Sequence, residues 1–162
     1  MSHQTYTGVG SRTTPAAILR LITRIALHLG QQGYALRTGD AKGADAAFVR
    51  GAKLAGKHGP SVYTAEDATP QALAIAEKHH PAWHKCSARA KLLHARNSFQ
   101  VLGPFLNDPS EFLICWTPNG EGGGGTGQAI RLAKAHGVRV YDLGNPKVEA
   151  AFRRRLDQVA TT

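Results

Sequence analysis

Short β-prone runs alternate with helical patterns along the sequence, and this alternation leaves few folds open. Apolar, β-branched and aromatic runs predict strands at residues 5–8, 34–38, 61–63, 111–116 and 139–142. Helical periodicity fills the gaps, with helices predicted from Pro15 to about Gly30 and at 43–58, 70–80, 88–101, 127–136 and 146–159. Strands separated by helices run parallel and are joined by right-handed crossovers. The sequence therefore predicts an α/β fold, a doubly wound sheet of about five parallel strands with helices on both faces.

The first helix carries the clearest local signals. Thr14 is predicted as its N-cap and Pro15 as its first residue, and the glycines at 30 and 33 mark its end. Its apolar face is formed by Ile18, Ile22, Ile25 and Leu29.

Length and composition predict one globular domain spanning residues 1–162. Apolar residues make up 42% and charged residues 19% of the chain, which favours neither disorder nor a fibrous architecture. The N-terminus lacks a basic segment followed by an apolar run, and no stretch approaches the roughly 18 apolar residues of a membrane span. Two cysteines, without zinc-site spacing, agree with a reducing compartment. We therefore expect a cytoplasmic protein that does not bind a membrane.

The charge balance favours an anionic partner. The formal net charge is +9, and lysine and arginine gain binding energy when phosphates release their counterions. The excess is spread along the chain, with its densest tract at Arg153, Arg154 and Arg155. Single-stranded nucleic acid is therefore one predicted partner, and a phosphate-bearing small molecule is another.

Three glycine-containing loops follow the first, second and fourth predicted strands. They span residues 8–14, 38–45 and 117–127, and each leads into a helix. Ligands of doubly wound sheets collect at the carboxyl ends of the strands, where helix N-termini attract anions and glycine lets the backbone approach phosphate. We therefore expect the ligand to contact Gly8, Gly10, Ser11, Arg12, Thr38, Gly39, Asp40, Lys42, Gly43, Asp45, Gly123, Gly124, Gly125 and Thr126.

These loops depart from two common nucleotide-binding patterns. Thr13 stands where a dinucleotide fingerprint has its third glycine, and no acidic residue closes the second strand at the expected place. No Walker A pattern occurs. Neither a redox dinucleotide cofactor nor an NTPase activity is expected, and no cofactor is predicted.

The loops resemble a known family. Gly10-Ser11-Arg12, the segment 38–45, Ala95-Arg96-Asn97 and the segment 124–129 resemble, in order and spacing, the Rossmann domain of the SMF family, whose type member is DNA processing protein A. That family belongs to the SLOG superfamily, with the Lonely Guy phosphoribohydrolases and nucleotide-sensing domains of bacterial defence systems. The resemblance implies a Rossmann-like domain with a pocket for nucleotide phosphates or single-stranded DNA. It also implies that Arg96 and Asn97 reach phosphate or base.

The resemblance leaves the activity open. Lonely Guy enzymes have a Gly-Gly-x-Gly-Thr-x-x-Glu pattern with a catalytic glutamate, and this chain has Ala129 after Gln128 in that region. A binding protein is therefore favoured over an enzyme, and Asp45 and Glu121 are the candidate carboxylates should the chain cleave an N-glycosidic bond. Similar stand-alone proteins are common among bacteriophage genes, which implies a sensor, or a phage sponge for a defence signal. Related folds pair through surface helices, so a homodimer or larger oligomer is expected.

Two aromatic residues and one histidine-rich segment complete the candidates. Trp116 ends the fourth predicted strand at the ligand edge, where an indole can stack on a base, and Trp83 is a second stacking candidate. The surrounding segment holds His79, His80, His84 and Cys86, but adjacent histidines on a helix point apart and Pro81 breaks the periodicity. No metal site is expected. A Ser-His-Asp hydrolase is not supported either, because no Gly-x-Ser-x-Gly elbow occurs.

Overall fold

A computed structural model describes residues 4–160 of the chain. Five parallel strands form one sheet in the order β3-β2-β1-β4-β5. The strands are β1 (Thr5–Gly8), β2 (Ala35–Gly39), β3 (Ser61–Tyr63), β4 (Phe112–Cys115) and β5 (Arg139–Asp142). The parallel sheet predicted from the sequence is thus confirmed.

Helices cover both faces of this sheet. They are α1 (Ala16–Gln31), α2 (Ala44–Ala55), α3 (Pro70–His79), α4 (Ala88–Leu102), α5 (Gly124–Ala135) and α6 (Pro146–Ala160), with 3₁₀ turns at 65–67, 83–85 and 118–120. One face carries α1, α2 and α6 over a core that includes Ile22 and Phe48. The other carries α3, α4 and α5 over a core that includes Val101 and Leu132. None of the helices within 4–160 combines the length and the hydropathy that a membrane span needs.

Two helix boundaries differ from the prediction for physical reasons. Thr14 is not the N-cap of α1, because its hydroxyl donates to the Ser11 carbonyl at 2.6 Å and Pro15 takes the capping position. The predicted end of the second helix is also too late. Gly56 adopts φ of 70° and terminates α2 in the left-handed region, where a residue without a Cβ is least strained.

The start of α5 matters more for function. This helix begins at Gly124, three residues before the predicted start, so Gly124, Gly125 and Thr126 form its first turn. Gly123 is its N-cap and no side chain caps it. Its first backbone N–H groups therefore have no partner from a capping side chain.

Strand order reverses between β1 and β4. The chain proceeds from β1 outward to β2 and β3, then returns to the other side of β1 for β4 and β5. At such a switch point the loops that follow the two central strands separate and leave a crevice outside their carboxyl ends.

Candidate functional site

A cavity of about 770 Å³ occupies this crevice. The loop after β1, the segment after β4, and one side of α4 form its walls. Eleven of its lining residues are among those expected from the sequence: Gly10, Ser11, Arg12, Asp45, Arg96, Asn97, Glu121, Gly123, Gly124, Gly125 and Thr126. The structure therefore brings together the first and third glycine loops, with Asp45 from the start of α2.

The glycine-rich wall at the start of α5 is not covered by side chains, and hydrogen bonds to Thr117 hold the backbone that precedes it. A Cβ built on Gly123, Gly124 or Gly125 would meet no atom within 4 Å. Thr117 Oγ1 accepts the Gly122 N–H at 2.9 Å, and Asp142 accepts both the N–H and the hydroxyl of Thr117. The backbone of this segment is thus held in place while its glycine surface stays uncovered, an arrangement suited to an anion at a helix N-terminus.

The loop after β1 forms the opposite wall. The Ser11 N–H donates to the Trp116 carbonyl at 3.3 Å, which ties this loop to the end of β4. Arg12 is exposed, and it forms no ion pair with any residue of 4–160. Its charge therefore remains available to a ligand. Gly43 packs closely against this loop, because a Cβ added to Gly43 would lie only 2.8 Å from the Ser11 carbonyl oxygen.

Asp45 is a buried acid in the cavity wall. Its Oδ2 accepts the Ala41 N–H at 3.2 Å, and the side chain also accepts the Gly10 N–H. Burial raises the pKa of Asp45 to about 6, while the Arg96 guanidinium acts in the opposite direction. Asp45 is therefore the carboxylate best placed to exchange a proton near neutral pH, whereas Glu121 lines the cavity from an exposed position.

Arg96 and Asn97 support the site from α4. Arg96 Nη1 donates to Asp40 Oδ1 at 2.6 Å, in an ion pair whose arginine side chain is 12% exposed. Asn97 Nδ2 donates to the Gly125 carbonyl at 3.4 Å and so links α4 to the start of α5. Arg89, seven residues before Arg96 on α4, pairs with Glu66 at 2.9 Å and is not part of the cavity wall.

Seven expected ligand contacts do not line the cavity: Gly8, Thr38, Gly39, Asp40, Lys42, Gly43 and Trp116. Thr38 is buried and donates to the Gly8 carbonyl at 2.6 Å. Within the second glycine loop, residues 38–45, the cavity is therefore lined by Ala41 and Asp45 alone.

The Trp116 side chain packs on the core beneath α1, α2 and α6, away from the face that carries α4 and α5. The second stacking candidate, Trp83, lies under the Lys91 ammonium at 5.5 Å from the ring centroid.

Sequence reasoning missed most of the α4 wall. Ala90, Leu93, His94 and Gln100 line the cavity together with Asn97. The spacing of Ala90, Leu93, Asn97 and Gln100 repeats at three and four residues, which places them on one helical face. Once Arg96 and Asn97 were assigned to the site, this periodicity could have found the rest.

Burial also sets the protonation of His94. Its pKa is lowered to about 4, first by burial and then by the charges of His80, Arg131 and Arg96. His94 is therefore a neutral imidazole at physiological pH, and its buried Nδ1 has no hydrogen-bond partner within residues 4–160.

His80, Cys86 and His94 form a cluster beside the cavity. One potential ligand atom from each lies within 4.8 Å of the others. However, the Ala82 N–H donates to His80 Nδ1 at 3.0 Å, which leaves the ring proton on Nε2, the atom that faces Cys86 Sγ at 3.7 Å. A metal-bound histidine normally needs its second nitrogen to donate. The absence of a metal site stays a prediction, supported by this hydrogen bond.

Ala129 lies at the inner end of the cavity wall with no exposed surface. It is the position at which the resemblance to phosphoribohydrolases would place a carboxylate, and a methyl group supplies neither charge nor proton transfer there. Of the carboxylates in residues 4–160, those of Asp45 and Glu121 line the cavity. No family model, curated protein or solved structure matches the chain.

Proposed function

We propose that this chain is a SLOG-type Rossmann domain that binds a nucleotide or another ribose-phosphate derivative in the switch-point cavity. The phosphates would contact the loop Gly10–Arg12 and the first turn of α5 from Gly124 to Thr126. One observation carries the proposal: two loops from opposite sides of the switch point converge on one cavity, and Gly123, Gly124 and Gly125 at the start of α5 are not covered by any side chain.

Charge supports the same assignment. Arg12 is exposed without an ion pair in 4–160, and the N-terminus of α5 has no capping side chain. Both features favour an anion, and the net charge of +9 attracts one over a longer range. A cavity of about 770 Å³ lies within the range that holds small-molecule ligands.

Native mass spectrometry of protein purified from cells tests the proposal directly. A bound small molecule, released and identified, should contain a phosphate and a ribose, and the same spectrum reports the oligomeric state. Titration calorimetry with nucleoside monophosphates and with single-stranded oligonucleotides then separates the two anionic partners. Nucleic-acid binding predicts affinity that rises with oligonucleotide length and falls steeply with salt. Tight mononucleotide binding that is indifferent to added oligonucleotide would exclude it.

Two substitutions test the position of the phosphates. Arg12→Ala and Thr126→Val should each weaken binding about tenfold, because each removes a hydrogen bond to a charged group. Arg20→Ala is the matched control, since Arg20 is an exposed arginine on α1 outside the cavity wall. Unchanged affinity in both cavity variants would refute this placement, and thermal melts of all three proteins check that the fold is kept.

The raised pKa of Asp45 favours N-glycosidic hydrolysis as a second candidate function. In that reaction water adds to the anomeric carbon, the bond to the base breaks and the base takes a proton. Asp45 lines the cavity and exchanges a proton near pH 6. Release of free base by the wild-type protein and not by Asp45→Asn would support this enzyme activity. Unchanged nucleotides after long incubation at high protein concentration would exclude it.

A further inference from the structure

The inner end of the cavity contains a glutamine whose side-chain amide is unpaired among the described residues. Gln100 lines the cavity with no exposed surface, and neither Nε2 nor Oε1 of its carboxamide has a partner within residues 4–160. Leaving a buried polar group unpaired costs about 1–3 kcal/mol, so native interiors rarely leave both ends of an amide unpaired. A ligand group that donates and accepts hydrogen bonds would satisfy it.

The backbone of Gln100 is fixed by a separate network. Thr7 Oγ1 donates to the Gln100 carbonyl at 2.6 Å and also contacts Ser110 Oγ at 2.8 Å. Arg37, itself buried, donates to the same Ser110 hydroxyl at 3.2 Å. These bonds anchor the last turn of α4 to the sheet, so the Gln100 side chain is held at the cavity rather than placed there by a mobile helix end.

Asp45 and Arg96, which also line the cavity, lie close to the Gln100 side chain. The Cβ position of Gly39, which has no side chain, lies 2.7 Å from both Asp45 Oδ2 and Gln100 Nε2, and 3.1 Å from Arg96 Cζ. The Arg96 Nε is buried and has no partner in 4–160. The absence of a side chain at Gly39 thus allows an acid, an amide and a guanidinium to meet. We name Asp45, Arg96 and Gln100 together the polar floor.

We propose that the polar floor binds the 2′,3′-diol of a ribose, and that Gln100 makes the cavity select ribose over deoxyribose. This inference rests on the proposed function, because it requires the ligand's phosphate on the glycine loops. Each hydroxyl of a diol both donates and accepts. The Asp45 carboxylate and the Gln100 carbonyl accept from the two hydroxyls, while the Gln100 amide and the Arg96 Nε–H donate to them.

The alternatives fit the floor less well. A phosphate at the polar floor would face the Asp45 carboxylate, whereas the first turn of α5 offers uncovered glycines and an N-terminus without a capping side chain. A nucleobase presents its donors and acceptors along one edge in one plane, whereas the groups of the polar floor come from two helices, α2 and α4. The more apolar part of the wall, with Ala90, Leu93 and His94, is the surface against which a base can pack.

Calorimetric titrations of the full chain with matched ligands test the proposal. The ligands are ribose 5-phosphate and 2-deoxyribose 5-phosphate, followed by the four ribonucleoside monophosphates and their 2′-deoxy counterparts. We expect the wild-type protein to bind each ribose ligand about tenfold more tightly than its deoxy partner, because the deoxy ligand leaves buried polar groups unpaired.

Gln100→Leu should reduce this preference to about twofold or less, and it should keep or raise the melting temperature because it removes an unpaired buried amide. Gln128→Leu is the matched control. Gln128 is equally buried, but its Nε2 donates to the Ala76 carbonyl at 2.9 Å, outside the cavity wall. Its loss should lower stability and leave the preference for ribose unchanged.

The outcomes distinguish the two proposals. Equal binding of ribose and deoxyribose ligands to the wild-type protein would overturn the diol site and leave the phosphate site standing. A ribose preference that persists in Gln100→Leu would overturn the role of Gln100. Absence of binding by every sugar phosphate and nucleotide would overturn the proposed function and this inference together.

Discussion

The pH dependence of stability provides a direct test of the buried acid at the site. The pKa of Asp45 is raised from 3.8 to about 6, and the residue is only 3% exposed, so solvent screening changes the effect little. Between these two values the folded state binds the proton more tightly than the unfolded chain. The free energy of unfolding therefore falls as pH rises, by about 1.4 kcal/mol for each pKa unit, which amounts to about 3 kcal/mol in total.

Asp45→Asn removes this titration. Urea unfolding followed by circular dichroism, in phosphate-free buffer from pH 4 to pH 8, gives the free energy of unfolding of both proteins. The wild-type value minus the variant value should decrease by about 2.4 kcal/mol between pH 4 and pH 7, because at pH 4 the unfolded chain has already lost part of this proton. Contributions that do not depend on pH, such as the altered hydrogen bond to Ala41, shift the whole curve and leave its shape unchanged.

Asp157→Asn serves as the control. Asp157 is an exposed acid on α6, 3.5 Å from the Arg24 guanidinium, and its carboxylate stays in contact with water. Exposed ion pairs contribute little to stability, so this variant shows the effect of replacing a carboxylate by an amide where no burial is involved. A flat curve for Asp45→Asn would refute the argument from burial. A curve that rises with pH would mean that the attraction of Arg96 outweighs burial.

Three further predictions concern the core and the histidine cluster. Gly8→Ala should lower the free energy of unfolding by about 1–3 kcal/mol in urea denaturation, because its Cβ would lie 2.6 Å from ring atoms of the fully buried Phe48; an unchanged value would contradict this packing. Burial lowers the pKa of His94 to about 4, so the folded protein binds this proton less tightly than the unfolded chain does. The free energy of unfolding of the wild-type protein, minus that of His94→Gln, should therefore fall by about 1–2 kcal/mol as pH decreases from about 6.5 to about 4. This magnitude is reduced for solvent screening, because His94 is half-buried. A pH-independent difference would disprove this. Elemental analysis of purified protein should find no stoichiometric zinc, since the Ala82 N–H occupies His80 Nδ1; one zinc per chain, lost in Cys86→Ser, would overturn this reasoning.

Part of the site could be predicted from the sequence because parallel topology brings certain loops together. Strands separated by helices must end at the same edge, so Gly10 to Arg12 and Gly123 to Thr126 were expected to meet, and both line the cavity. Glycine-rich composition also indicated an uncovered backbone. What failed within these segments was the start of α5, because glycine has low helix propensity and the pattern therefore favoured a later start.

Trp116 shows why a strand end alone does not place a side chain. Successive residues of a strand face opposite sides of the sheet, and Cys115 packs beneath α4 and α5. Trp116 therefore packs on the other face, under α1 and α2. Which face borders the cavity depends on where the helices dock, and this information is not local to the strand.

The sequence by itself determined the parallel sheet and the edge of that sheet at which the three glycine-containing loops lie. These features follow from periodicity, turn residues and connection rules, all of which act over short distances along the chain. Only the tertiary structure decided that α4 closes the cavity, that Gln100 is left unpaired there and that burial raises the pKa of Asp45. Desolvation and the pairing of polar groups depend on residues far apart in sequence, which only the packed fold brings together.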